Sequence, residues 1–398
     1  MWWLVSALLL APQSAPPNPY RDAGAALASG DLAAAQASLE ALTVKDPGNA
    51  RAWMLLAQTY ARRNNAAAAL AAASRSETLG ARDPDVFHGL AFLFTNLQPD
   101  LKRAADLEAR YAELQPSDKG AWRRVAVMYL DAGEYDRAIV AGTRGLPADN
   151  SQELHTVLGR AYKGKKNWAQ AAEHFTSAIQ IASYDENAHF LLIQMYLDHG
   201  DFDHAAEAIA NARKVFARSP QIELAAGVCA YGMRHFGEAV DQFLKTITLQ
   251  PDVPQPYQFL GRMLDHARDR LPEVAERFRQ YHARHPDDPA TCVLYAKVLM
   301  ASLDPGGFPP EAQQAMQLLE HARSIDGNQA ETHYQIGCLL ERKREFAAAA
   351  GELERSVAID PREPFAHFHL ARVYERLGRK EDAARELDAH QKLTESAQ

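Results

Sequence analysis

Apolar residues recur at i, i+3, i+4 and i+7 in segment after segment, as in Trp53, Leu56, Ala57 and Tyr60. That spacing sets them on one face of a helix and leaves polar residues on the other. The segments come in pairs, divided by short turns such as Ala28-Ser29-Gly30-Asp31, Ala132-Gly133-Glu134 and His199-Gly200-Asp201. Glycine suits the residue that closes a first helix, and an acidic residue after it favours the positive end of the second. The pattern predicts an all-α chain of helix–turn–helix pairs.

The pairs are periodic. One alanine returns at Ala35, Ala69, Ala104, Ala138, Ala171, Ala205, Ala239, Ala275, Ala315, Ala349 and Ala383, at intervals of 33 to 36 residues with one of 40. About twelve residues before many of these stands a second small residue: Ala23, Ala57, Ala91, Ala126, Gly159, Gly227, Gly261, Gly337 and Ala371 among them. Pro47, Pro116, Pro251 and Pro361 each stand twelve residues after. With 73 alanines in 398 residues some coincidence is expected, but not eleven in phase with two other marks. Small residues let two helices approach closely while large ones fill the space between them. A single hairpin cannot bury its apolar face, so neighbours must stack into a continuous array.

This unit resembles the tetratricopeptide repeat, a helix–turn–helix of 34 residues. Trp53, Leu56, Ala57 and Tyr60 match the first helix of the family pattern, as do Trp122, Val125, Ala126 and Tyr129. Leu158, Gly159, Tyr162, Ala171, Phe175 and Ala178 match nearly a whole unit, and Leu370, Ala371, Tyr374 and Ala383 mark the last. The resemblance covers residues 16–398 as about eleven repeats. It implies a right-handed superhelical solenoid of stacked repeats, and a binding role without catalysis.

At about 100° per residue, positions 2, 5, 9 and 12 of each first helix share a side away from the packing positions. In the family this stripe lines a concave groove that holds peptides or partner segments. Here it comprises Phe92, Arg123, Arg160, Lys163, Phe190, Gln194, Gln258, Arg262, Lys297, Tyr334, Phe368 and Arg372, with acidic Asp85, Glu153, Asp265, Glu331, Glu341 and Glu375. Aromatic rings give contact area at low entropic cost, and arginine gives forked hydrogen bonds to carboxylates. Phe190, Tyr334, Arg160 and Arg262 are read as ligand-facing rather than packing residues. The family's carboxylate-clamp pattern is not reproduced, so recognition of a chaperone C-terminus is not expected.

Two intervals are long. The stretch Asp304-Pro-Gly-Gly-Phe-Pro-Pro310 lengthens the ninth turn, and Arg268-Asp-Arg-Leu-Pro272 lengthens the eighth; both are expected to be surface loops, where contacts often lie. His155, His189, His333 and His367 occupy the first aromatic position and are read as packed rings.

Little points to catalysis. Phosphate-loop, dinucleotide, zinc-protease and nucleophile-elbow motifs are lacking. His199-Gly-Asp-Phe-Asp-His204 offers two imidazoles and two carboxylates, but the neighbouring turn Ala132-Gly-Glu-Tyr-Asp-Arg137 has the same form, so it reads as turn chemistry. His282-x-x-His285 reads likewise as structural. Cys229, Cys292 and Cys338 stand in different repeats and read as buried apolar residues. No metal or cofactor is expected. A net charge of −8 disfavours nucleic acid.

At the N-terminus, Trp2 to Ala11 is a continuous apolar run followed by Pro12 to Pro19. It is too short to span a bilayer and fits the core of a signal peptide over residues 1–15, with a small-residue site after Ala15. The expectation is a periplasmic or secreted interaction scaffold with a protein or peptide partner. Alternatives are a cytoplasmic scaffold, a repeat-type RNA reader, or a metal-dependent enzyme using the His199–His204 turn. If the register is right, Ala171→Leu overpacks the seam between two helices and costs about 1–3 kcal/mol. An unchanged melting midpoint would contradict that register.

Overall fold

A computed structural model describes residues 19–97, 99–304 and 306–396; the apolar leader lies outside them. Among the described residues there are 22 α-helices and no strand. The helices follow one another as pairs, from Pro19–Ser29 with Leu32–Lys45 to Pro364–Arg376 with Lys380–Ser396. The fold is all-α and built of stacked helix–turn–helix repeats, as the periodicity requires. The helices gather into two compact units, Met1–Met195 and Tyr196–Gln398, divided inside helix Glu186–His199.

In three repeats the seam is a first-helix glycine against a large residue sixteen positions later. A methyl group added at Gly159 would lie 2.7 Å from the Phe175 ring, at Gly227 2.5 Å from Phe243, and at Gly337 2.6 Å from Leu353. These separations are far below van der Waals contact, so the backbone of the first helix rests directly on the partner side chain. Ten of the eleven phased alanines are buried, all at 0% exposure except Ala383 at 3%.

The exception corrects the register. Ala275 is half-buried, and Val274 takes the inner position at 0% exposure. Here the first helix stops early, at Pro254–Arg262, and the lengthened turn coils into a 3-10 helix, Leu264–Arg270. The helix that follows, Leu271–Arg284, is thereby rotated by one residue, about 100°. Val274, Phe278 and Tyr281 then face the core at i, i+4 and i+7.

Neither long interval is a free loop. In the eighth repeat Ala267 is buried at 1% exposure, and Arg270 bonds Asp241 and, at 2.7 Å, Glu273. In the ninth, Arg342 of the next repeat donates to the carbonyls of Asp304, Gly306 and Gly307, the last two at 2.8 Å. A third irregularity escaped the spacing: helix Pro84–Phe92 ends in a π-turn, Leu93–Leu97, which buries Leu93 and Phe94.

In the other eight repeats the turn is uniform. One residue has φ between +58° and +79°: Gly30, Asn64, Gly133, Lys166, Gly200, Arg234, Arg344 or Gly378. In several repeats the next residue caps the second helix, as Asp31, Asn65, Asn167 and Asp201 do by accepting a backbone N–H three residues on. Left-handed backbone costs an L-residue with a Cβ about 1–2 kcal/mol. Lys166→Gly is therefore expected to stabilise by about 0.5–1 kcal/mol, and Gly133→Ala to destabilise by about 1 kcal/mol. Denaturant melts of both variants check this; opposite signs would contradict the turn assignment.

Candidate functional site

The first helices are oriented by a hydrogen bond that recurs at their fourth residue. Trp53 donates Nε1–H to the carbonyl of Pro47 at 3.1 Å, and the Tyr257 hydroxyl donates to Pro251 at 2.9 Å. His189, His333 and His367 do the same through Nε2, to Ser183, Gly327 and Pro361, each at 3.1 Å. In every case the acceptor lies six residues earlier, in the turn that joins one repeat to the next. The four histidines are buried, as expected, but packing is only half of their role. A ring with a polar tip thus packs between helices and also gives a turn carbonyl a hydrogen-bond donor.

A second recurrent bond joins repeats. The hydroxyls of Tyr60, Tyr129 and Tyr374 donate to Glu40 at 2.7 Å, Asp106 at 2.5 Å and Glu354 at 2.7 Å, all on the preceding second helix. Burial, helped by these carboxylates, pushes the three phenols up to about 12.

With the helices so fixed, the stripe can be placed in each unit. In the first unit Phe92 is 43% exposed and Phe190 and Gln194 are half-buried. Arg123 is neutralised by Asp149 and Glu153, each at 3.3 Å, and Asp85 by Arg51 at 2.6 Å. Lys163 is half-buried. Arg160 is exposed and makes no ion pair among the described residues.

In the second unit Gln258 and Arg262 are exposed, and Arg262 likewise has no ion pair among the described residues. Lys297 pairs with Glu331 at 2.8 Å, Asp265 with Arg268 at 3.1 Å, and Arg372 with Glu341 at 2.9 Å. Many stripe charges are thus spent on one another across neighbouring repeats. Tyr334 departs from expectation. It packs against the core of Leu353, Leu370 and Tyr374 and meets the His369 ring edge-on at 5.6 Å. Burial raises its hydroxyl well above the ordinary phenol range, so Tyr334 is a packing residue as much as a surface one. Phe368 is half-buried, with the Arg372 guanidinium 5.7 Å over its ring. The last of the acidic members, Glu375, is exposed.

The His199–His204 turn is a helix cap. The Asp201 carboxylate accepts the backbone N–H of His204 at 3.3 Å and holds its Nδ1 at 2.8 Å, which raises the His204 imidazole above its usual value. His282 and His285 face different partners, the Cys292 thiol at 3.8 Å and Asp252 at 3.5 Å. Among the described residues no group of three or more His, Cys, Asp or Glu side chains is arranged to hold a metal. Cys229 and Cys292 are buried; Cys338 is half-covered, and burial pushes its thiol up to about 12.

Two cavities on the second helices were not visible in the spacing. One of about 710 Å³ is lined by Trp53, Tyr60, Arg75 and small residues of Ala66–Leu79. The other, about 260 Å³, lies among Trp122, Tyr129, Val140 and Arg144, whose guanidinium sits 4.0 Å over the Trp122 ring. The available signal was a basic residue 22 positions after a first-helix tryptophan, seen in Trp53/Arg75 and Trp122/Arg144.

A family model described as tetratricopeptide repeat matches residues 20–85, 190–254 and 334–397. No curated protein matches the sequence. Among solved structures, Naa15/Naa10 bound to HypK-THB is 14% identical, covering 94% of this chain and 68% of that one at a TM-score of 0.47. Yeast Tom70 is 13% identical over 94% of this chain and 91% of that one, at a TM-score of 0.41. YrrB, described as a TPR protein with an unusual peptide-binding site, is 19% identical over 47% of this chain and 96% of that one, at 0.38.

One pair in the first unit generates a pH prediction. His155 and His174 face each other with Nδ1 atoms 3.0 Å apart; Asn150 holds the far nitrogen of His155, and Tyr162 stacks on His174. Burial lowers both imidazoles; His155 lowers His174 further, and Glu173 opposes this. The unfolded chain therefore binds more protons in the range below the ordinary histidine value, and stability falls as pH drops through it. At the same nineteen-residue offset, His333 and His367 meet Glu352 and Glu386 instead, each at 2.6 Å. Replacing His174 by Glu should make the melting midpoint fall less between pH 7.5 and 5.5 than in the parent chain. An equal fall in both would contradict the assignment.

Proposed function

We propose that this chain, which belongs to the tetratricopeptide repeat family, is a non-enzymatic adaptor that holds a peptide or partner segment along its first-helix stripe. The observation that carries the reading is the division of labour along the stripe. Some of its charges are consumed in pairs between repeats, yet Phe92 stays exposed, Phe190 half-exposed, and Arg160 and Arg262 carry charge without an ion pair among the described residues. An exposed phenylalanine costs solubility without adding to the core, and an unpaired guanidinium is available for a carboxylate.

Several facts agree with a binding role. His189, His333 and His367 are engaged in turn bonds, His204 in a cap, and Cys229 and Cys292 are buried. Among the described residues no helix is long and apolar enough to cross a membrane. Export to the cell envelope is part of the proposal and rests on the apolar run Trp2 to Ala11 alone. In the family the stripe lies on the concave side of the repeats, where an extended segment can touch successive first helices.

The test is affinity capture of partners from envelope extracts, followed by variants. Phe92→Ala with Phe190→Ala removes aromatic area, and Arg160→Glu with Arg262→Glu reverses charge. Tyr334 is left intact because its truncation would disturb packing. An interface anchor is worth about 2 kcal/mol or more, so at least one pair should weaken binding of the captured partner tenfold while helix content is unchanged. Normal binding by both pairs, with loss in a His199→Ala, His204→Ala control, would move the site to the turn edge.

A further inference from the structure

The second unit carries a concentration of positive charge in a chain of net charge −8. A cavity of about 550 Å³ is bounded by Arg342, Arg344, Arg372, Arg376 and His369, with Glu341 at its side and Gly306 of the lengthened ninth turn on its rim. Four arginines and a histidine thus line one cavity beside a single carboxylate. They come from two successive first helices, Ala330–Arg342 and Pro364–Arg376, and from the left-handed turn residue Arg344.

The groups differ in what holds them. Glu341, with its side chain only 11% exposed, takes both Arg372 at 2.9 Å and His369 at 2.7 Å. Arg342 spends its donors on the carbonyls of the ninth turn. Those acceptors are neutral, so its charge is fixed in place and uncompensated. Glu345, which could have intruded, is engaged by Lys343 at 2.7 Å. Arg344 and Arg376 are exposed and make no ion pair among the described residues. The result is a held frame of charge with two free forks at its mouth.

We propose that this cavity is a docking site for the acidic side chains of a partner peptide, taking two or more carboxylates from one segment. Planar guanidiniums accept carboxylates through paired N–H bonds, and a partly enclosed site strengthens the attraction. The lining includes Glu341 and Arg372 of the stripe, and Phe368 lies under the Arg372 guanidinium. A segment following the stripe would therefore reach the cavity without leaving it, which favours a peptide over a free anion. The proposal deepens the adaptor reading and rests on it for the path of the segment, but the cavity's preference for acidic side chains can be tested alone.

The probe is a fluorescein-labelled hexaglutamate peptide, with hexaglutamine as its neutral counterpart, followed by fluorescence anisotropy on the full chain. Hexaglutamate should bind, hexaglutamine should bind at least tenfold more weakly, and added salt should weaken the first. Arg344→Gln with Arg376→Gln should cut hexaglutamate affinity at least tenfold at unchanged helix content, whereas Arg355→Gln, exposed on the second helix Phe346–Ile359 outside the cavity, should not. No binding of hexaglutamate at 100 µM, or equal binding by the arginine variant, would overturn the proposal. So would displacement of the peptide by inorganic phosphate at equal concentration, which would mark a free-anion site. If the peptide result fails while the aromatic pair still abolishes partner capture, only this inference falls. If hexaglutamate binds but the stripe variants capture normally, the adaptor path falls and the acidic site stands.

Discussion

The architecture depends on the close approach of the two helices of a repeat, tightest where a first-helix glycine rests on a large side chain of the second helix. Gly159 on Phe175, Gly227 on Phe243 and Gly337 on Leu353 leave no room for a methyl group. Close approach sets the distance within a repeat, and the small residue then repeats at the period of the chain. Two hydrogen bonds translate that local geometry into stacking. The fourth residue of the first helix ties down the turn behind it, and the tyrosine seven positions later reaches a carboxylate on the preceding second helix. Both are polar bonds made by otherwise apolar rings, so they fix orientation without removing bulk from the core.

Once the helices are fixed in this way, the remaining side of each first helix is free of structural duty at some positions and not at others. Arg123, Lys297 and Arg372 tie one repeat to its neighbour through Glu153, Glu331 and Glu341. Among the described residues Arg160, Arg262, Arg344 and Arg376 do not. A binding reading of this surface draws its force from that contrast rather than from the count of charges. Removing a paired arginine would strand a carboxylate and disturb stacking, whereas removing an unpaired one alters only what the surface can bind.

Most of the fold was legible in the sequence because its seam depends on residue size, and size at a fixed period survives in the letters. The alanine phase located ten of eleven seams. It failed at Ala275, where a 3-10 turn rotated the following helix and Val274 took the place; helix type inside a turn leaves no periodic mark. The π-turn at Leu93–Leu97 was missed for the same reason, since its interval differs by one residue from the norm. The candidate site was legible as a stripe, because the stripe is a local property of one helix. What could not be read was the spending of its charges. Tyr334 is covered by His369 of the next repeat, and the four-arginine cavity brings Arg342 and Arg344 to Arg372 and Arg376 across a repeat boundary. Spacing within a repeat says nothing about which rotamers meet between repeats.

If each repeat is held chiefly by its neighbours, stability should decline by steps rather than collapse when the end of the array is removed. The most direct measurement is circular dichroism with urea denaturation of a chain ending before Asn328, which lacks the last two repeats. The remaining helices are expected to keep their ellipticity in native buffer and to unfold at a lower urea midpoint. Loss of all helical signal in that truncation would contradict it.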